Sequence, residues 1–443
     1  MIKLIVFNNA NLFFYTMTCL CLVINCKAAT YYVVPSNSAA ANPYTNWGIA
    51  GTNIIDVVKC AMTNAAPRTV YVSNGTYYLT NQVAITNALT LQSVNGRDVT
   101  IVDGNYPNVT NRCFNISKGA ILDGFTVRDG YIINSAGGGI YAATGTVLNC
   151  RIMSNTSTNL AGVYGSWGGG IYVNDGIISN CYILGNLGGG ELGGGIFAEG
   201  TSSVINCIIA SNSVSTALSP RYTYGCGITA RGNVVIDRCT IYKNIDANLN
   251  GMGGGVYMER NTILRNSLVY ANRSQRGGGI AVSVAADSGY NCKIQNCIVI
   301  SNVADNNGGG IRLDCYFPNT VDVENVISYF NYNDYGSSNI LWSSATGFYY
   351  IVNSCIAPTS ALPLSSGGYY YTGNIQSDPK FVNKDSNDFH LAQGSPCINS
   401  GTNEDWMTGA VDLDGHSRID RFSGVVDMGC YEYLPAGTMY SVP

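Results

Sequence analysis

Glu199 and Glu259 occupy equivalent places in two copies of a repeated strand, and Arg231 holds that place in the copy between them. If the copies stack as parallel strands, the two carboxylates stand roughly 10 Å apart. That is near the upper end of the spacing used by inverting glycosidases. The intervening arginine gives the same trio a second reading, a ladder of opposite charges that stabilises a sheet. Beside it runs an aromatic row, Tyr141, Tyr172, Phe197 and Tyr257, with Asn174 and Asp314 in the polar column. Aromatic faces suit stacking on sugar rings, and the polar groups suit sugar hydroxyls. Structural ladder, carbohydrate binding and catalysis by Glu199, Glu259 or Arg231 all stay open.

These residues share a face only if the chain is a solenoid, and its repeat requires one. A glycine-rich turn leads into a short apolar strand seven times, at Gly137–Tyr141, Gly168–Tyr172, Gly193–Phe197, Gly225–Ile228, Gly253–Tyr257, Gly277–Ile280 and Gly308–Ile311. Equivalent Ile or Val positions recur every 24 to 32 residues, a period that marks a solenoid. Cys-x-Ile/Val-x-x-Asn keeps step with it: Cys150, Ile152, Asn155; Cys181, Ile183, Asn186; Cys207, Ile209, Asn212; Cys239, Ile241, Asn244. Ser267 replaces the cysteine in the next copy, and Cys297, Val299 and Asn302 follow. Each repeat therefore carries alternating runs that read as half-buried strands. Its spacers are too short and too rich in Gly, Asn and Ser for helices. The predicted fold is all-β, a right-handed parallel β-helix of ten or eleven coils over 69–376.

Composition agrees. Fifty-two glycines supply the turns, and charged residues make up only 11% of the chain. A formal net charge of −4 without a basic patch points away from nucleic acid. Two histidines and no C-x-x-C pair give no expectation of a metal centre. Cys150, Cys181, Cys207 and Cys239 fall on one ladder position and are expected as stacked core thiols, a compact apolar filler. Cys397 and Cys430 lie outside that ladder and are expected to pair. Asp412-Leu-Asp-Gly415 is either a contributor to a calcium site or a turn stabilised by Asp and Gly. Arg418 is expected to pair with Asp427 or Glu432.

The ends differ from the middle. Residues 1–29 read as a secretory signal peptide cut near Ala28 or Ala29. Residues 30–68 are expected to cap the N-terminal end, with an amphipathic helix near 54–64 burying Ile54, Val57, Val58 and Ala61. Residues 377–433 break the repeat and are expected to cap the other end, leaving a tail at 434–443. This last segment runs Asp378-Pro-Lys-Phe381, Asp388-Phe-His-Leu391, Gly394-Ser-Pro-Cys-Ile-Asn-Ser-Gly401, Asp412-Leu-Asp-Gly-His-Ser-Arg418 and Val426-Asp-Met-Gly-Cys-Tyr-Glu432. It resembles the C-terminal region of secreted right-handed β-helix proteins often labelled "choice-of-anchor Q". Their motifs D-P-x-F, D-x-x-L, G-S-P-x-I-x-x-G, D-L-D-G-x-x-R and V-D-x-G-x-Y-E recur here in order. The coils also resemble the repeats of polymorphic outer membrane proteins. Both groups belong to the pectin-lyase-like class.

The resemblance implies secretion or cell-surface association. It does not fix chemistry, because a fold hosts many functions. Pectate lyases need a basic proton abstractor and calcium-holding carboxylates; polygalacturonases need clustered aspartates, a G-H-G histidine and an R-x-K pair. Neither set is found, although a lyase using tyrosine or arginine stays open. The expectation is a monomeric secreted or surface protein that binds polysaccharide along a strand face without catalysis and without a cofactor. The alternative is a polysaccharide lyase or glycoside hydrolase with a non-standard site.

Overall fold

The computed structural model describes residues 28–160, 165–215, 222–285, 289–342, 346–357, 369–421 and 423–435. The expected signal peptide lies almost wholly outside them, as does the tail from 436. The chain is a right-handed parallel β-helix with three long sheets, of 13, 11 and 10 strands. The glycine-led strands build the ten-stranded sheet, from Val83–Ile85 to Ile340–Trp342. The Cys-x-Ile strands build the eleven-stranded sheet. The third long sheet runs from Ala29–Val33 to Tyr369–Thr372.

The repeat positions form ladders because equivalent residues sit in register, as Ile140, Ile171, Ile196 and Ile228 do. All four are fully buried. The inner asparagines Asn155, Asn186, Asn212, Asn244, Asn272, Asn302, Asn331 and Asn339 form a continuous buried stack. Each carboxamide nitrogen donates to the next carboxamide oxygen at 3.0–3.2 Å. The same nitrogens reach strand carbonyls, as Asn212 Nδ2 does to Ile183 O at 2.9 Å. The stack thus satisfies backbone groups that the turns would otherwise strand in the core. Cys150, Cys181, Cys207 and Cys239 are buried free thiols, in keeping with the expected ladder.

The helix at Ile54–Met62 buries Ile54, Val57, Val58 and Ala61. It packs against strands 29–33, 68–72 and 83–85, and the Asn53 side chain caps its start by accepting from Ile55 N.

Two expectations about the C-terminal segment are corrected. It does not sit over the end of the solenoid. It folds back along the side, where Phe389, Leu391, Cys397, Met428 and Cys430 pack on outward residues of the Cys-x-Ile sheet, among them Leu268, Ile298, Ile300 and Ile327. Those strands carry apolar residues on both faces, so one face needs a cover other than the solenoid core. We refer to residues 377–433 as the flank. The Cys397–Cys430 bond is the second correction, since both are free buried thiols. Cys397 lies beside Cys355 of the last coil, whose thiol donates to Ser377 O at 3.2 Å, whereas Cys430 lies near Cys297.

Candidate functional site

The glycine-led strands position the expected site. Their in-register neighbours confirm the two outward columns, Tyr141–Tyr172–Phe197–Thr229–Tyr257 and Ala143–Asn174–Glu199–Arg231–Glu259. The exposure of the first column is overturned. Phe197 is fully buried, Tyr172 is 6% exposed and Tyr257 is 3% exposed; only Tyr141 remains half-buried. The cause is the turn. Gly168 and Gly193 have φ of +63° and +69°, and a Cβ there would stand 2.1 and 2.4 Å from the carbonyl oxygens of Ile171 and Ile196. The chain doubles back on its own strand, so the residue before the first glycine folds over the aromatic column. Trp167, Leu192, Tyr224 and Met252 occupy that place and join Tyr172, Phe197 and Tyr257 in two small outer clusters. Tyr141 stacks on Tyr172 at 4.7 Å, Trp167 meets Phe197 edge-on at 5.4 Å, and Tyr224 lies 4.5 Å from Tyr257. The apolar run just before the glycines was the sequence signal for this cover.

The second column is what solvent reaches. Arg231 Nε pairs with Glu259 Oε2 at 2.7 Å, with side chains 30% and 23% exposed. The Tyr172 hydroxyl donates to Glu199. Asn174 is half-buried beside them. Asp314, expected in the binding face, is only 7% exposed and is held by Arg312 at 2.8 Å. The structure therefore brings Asn174, Glu199, Arg231 and Glu259 into one polar strip and withdraws Tyr172, Phe197, Tyr257 and Asp314 from it.

The electrostatics disfavour a tyrosine base. Burial, then the Glu199 hydrogen bond, raises Tyr172. Burial, with Glu259 and Glu191, pushes Tyr224 up to about 12. Burial followed by Glu259 also raises Tyr257. All three hydroxyls stay protonated near neutral pH. Sequence reading missed Arg112, which is 8% exposed. Its Nη2 donates to Ser135 Oγ at 2.5 Å, and its guanidinium lies 5.1 Å from the Tyr141 ring. Burial lowers its proton affinity.

The flank bears on two further expectations. Asp412 Oδ1 accepts from the amides of Asp414 and His416, and Oδ2 from that of Glu432. Its carboxylate is spent on backbone amides, as a stabilised turn requires. Arg418, fully buried, pairs with Glu432 at 3.1 Å.

No family model matches the chain, and no curated protein matches it. Among solved structures the chain is similar to pectate lyase Pel9A, with a TM-score of 0.55, 16% identity, and coverage of 91% of this chain and 96% of that one. It also matches the Dettilon tailspike protein (TM-score 0.43, 14% identity, covering 78% and 68%). A third match is the A-module of mannuronan C-5 epimerase AlgE6 from Azotobacter vinelandii (TM-score 0.41, 13% identity, covering 74% and 94%). At these identities the likeness is one of fold.

Proposed function

We propose that this is a secreted or cell-surface β-helix protein that binds polysaccharide along the glycine-led sheet without turning it over. The observation that carries the reading is the strip Asn174–Glu199–Arg231–Glu259, which offers a fresh polar side chain at every coil. Parallel strands repeat at about 4.8 Å, so an extended glycan lying along the axis meets hydrogen-bonding groups at regular intervals. Pel9A, a pectate lyase by name, shares the fold and lends the reading its substrate class. The carboxylates support binding over hydrolysis. Inverting hydrolysis needs one carboxyl free to donate a proton and one free to activate water, yet Glu259 is tied to Arg231 and Glu199 to Tyr172. Secretion rests on the N-terminal sequence, and the protein is proposed to act as a monomer.

A glycan array followed by reducing-end and unsaturated-uronate assays tests this. The expected result is binding without turnover, weakened by Arg231→Ala and Asn174→Ala. Turnover abolished by Glu199→Gln or Glu259→Gln would overturn it. One observation favours elimination chemistry as a second reading: Arg112 is a buried cation that bonds Ser135 and lies over the Tyr141 ring, with no carboxylate partner among the described residues. Loss of unsaturated product in Arg112→Ala would support that reading.

A further inference from the structure

The turn that precedes each Cys-x-Ile strand carries a second ladder, on the outside. Asn149, Asn180, Asn206, Asn266, Asn296, Asn325 and Asn353 all take left-handed backbone, with φ between +44° and +54°. Asparagine tolerates that conformation better than other residues with a Cβ. One position in this column breaks the rule. Arg238 stands there at φ +52°, keeping the strained backbone without the residue that eases it. Strain of this kind collects at functional sites; Lys118, Lys243 and Arg260 carry it here too, so what singles out Arg238 is its surroundings.

Arg238 sits where the flank meets the solenoid, and two half-open cavities share it. The larger, about 260 Å³, is lined by Asn180, Tyr182, Asn206, Arg238, Asp414 and Tyr431, among others. The smaller, about 180 Å³, is lined by Asp237, Arg238, Arg265, Asn266 and Trp406. Asn266 is 1% exposed and its Oδ1 has no hydrogen-bond partner among the described residues. A buried acceptor in a polar cavity calls for a donor from a bound molecule or water. At the larger cavity the outer ladder also lapses. Asn180 Nδ2 donates to Asn149 Oδ1 at 2.7 Å, yet the Asn206 carboxamide bonds none of the described residues. Both tyrosines are held by neighbours, with the Arg97 guanidinium over the Tyr182 ring at 4.2 Å and the His390 ring 4.1 Å from that of Tyr431.

The Arg238 guanidinium is only loosely engaged. Asp237 lies 3.6 Å away and is already held by Arg265 at 3.4 Å and by Asn266 Nδ2 at 3.1 Å. A guanidinium fork is suited to a planar or tetrahedral anion. Two phenol rings with carboxamides and a carboxylate suit a ring that carries hydroxyls. The larger volume falls just under the roughly 300 Å³ of ordinary small-molecule sites, which fits one ring rather than a chain. We propose that this seam binds a single anionic sugar residue, a pyranose carrying a carboxylate or a sulfate, with Arg238 on the anion and Asn180, Asn206 and Asp414 on the hydroxyls. The site is separate from the polar strip and does not depend on it.

The test titrates the full chain with galacturonic acid, galactose 6-sulfate and galactose, followed by NMR and calorimetry. The expected result is saturable binding of at least one anionic sugar, at least tenfold tighter than galactose and weakened by salt. Arg238→Asn restores the column's own residue, so the fold is kept, and it should remove the preference for the anion. The two anionic sugars distinguish carboxylate from sulfate as the recognised group. No binding by any of the three, equal binding of galactose, or an unchanged preference in Arg238→Asn would each overturn the proposal. Glu199→Gln and Glu259→Gln should leave seam binding intact, so failure of the strip and failure of the seam are told apart.

Discussion

Cys355 and Cys397 meet thiol to thiol where the last coil joins the flank. The neighbouring Cys397 thiol, followed by burial, holds Cys355 well above the ordinary thiol value. In an oxidising compartment, exchange with a soluble disulfide such as oxidised glutathione is expected to join these two and to spare Cys430. The exchange will be slow at neutral pH, since the thiolate is the attacking species. Non-reducing peptide mapping should find the 355–397 link. A 397–430 link would refute it. Closing a loop of about 40 residues should add about 2–4 kcal/mol over the reduced protein, measured by denaturant unfolding of both forms.

The inner asparagine stack should be the least replaceable part of the coil. Asn212 accepts from Asn186 N and Nδ2, and donates to Ile183 O and Asn244 Oδ1. Asn212→Ala leaves several fully buried groups unpaired at about 1–3 kcal/mol each. A loss of more than about 3 kcal/mol is expected in chemical denaturation. A loss under about 1 kcal/mol would mean that water enters and replaces the stack.

The aromatic column should behave as core. Phe197→Ala is expected to cost about 3–5 kcal/mol and to lower glycan binding only through unfolding. Tyr172→Phe keeps the ring and removes the hydroxyl that Glu199 accepts from, so it should fold well and free the Glu199 carboxylate. Calorimetric melting of both variants, alongside binding by the folded fraction, checks this. Specific loss of binding in a fully folded Tyr172→Phe would return the row to the binding face.

These outcomes mark where the sequence was legible. Periodicity named the inward residues correctly, because a period of two and a fixed coil length leave Ile140, Cys150 and Asn155 no alternative face. The face of Tyr172 was also right, yet its exposure was not. Outward direction equals exposure only when nothing folds over the strand, and the left-handed glycine at 168 brings Trp167 back across it. The flank was recognisable as a break in the repeat. Its landing place was written in Leu268, Ile298 and Ile300, outward positions turned apolar, which only a stack of coils makes visible as one patch. Arg238 was legible in principle as the odd residue in a column of asparagines, but the column is defined by backbone conformation rather than by the core.

The flank should loosen as pH rises. His390 lies between Asp388 and Asp414, at 2.6 and 2.7 Å. Chiefly through the hydrogen bond with Asp414, its imidazole is pushed up to about 9. A folded value above the unfolded one of about 6.5 means that the stabilisation is complete below pH 6.5 and is lost as pH climbs through about 9. The side chain is 42% exposed, so screening keeps the effect on the order of 1 kcal/mol or less. Glu432 works in the same direction, since burial pushes it up to about 9 even with Arg418 beside it. Its neutral form fits the fold, so stability is lost as pH rises from its ordinary value of about 4.3 towards 9. The two are separable. His390→Asn should be less stable than the parent at pH 6 and equal to it at pH 10. Glu432→Gln should remove the part of the descent below about pH 6.5 and leave the part that His390 carries above it. Hydrogen exchange of the flank amides across that range reads both, and a parent whose flank is equally protected at pH 6 and pH 10 would show that neither group titrates with the fold.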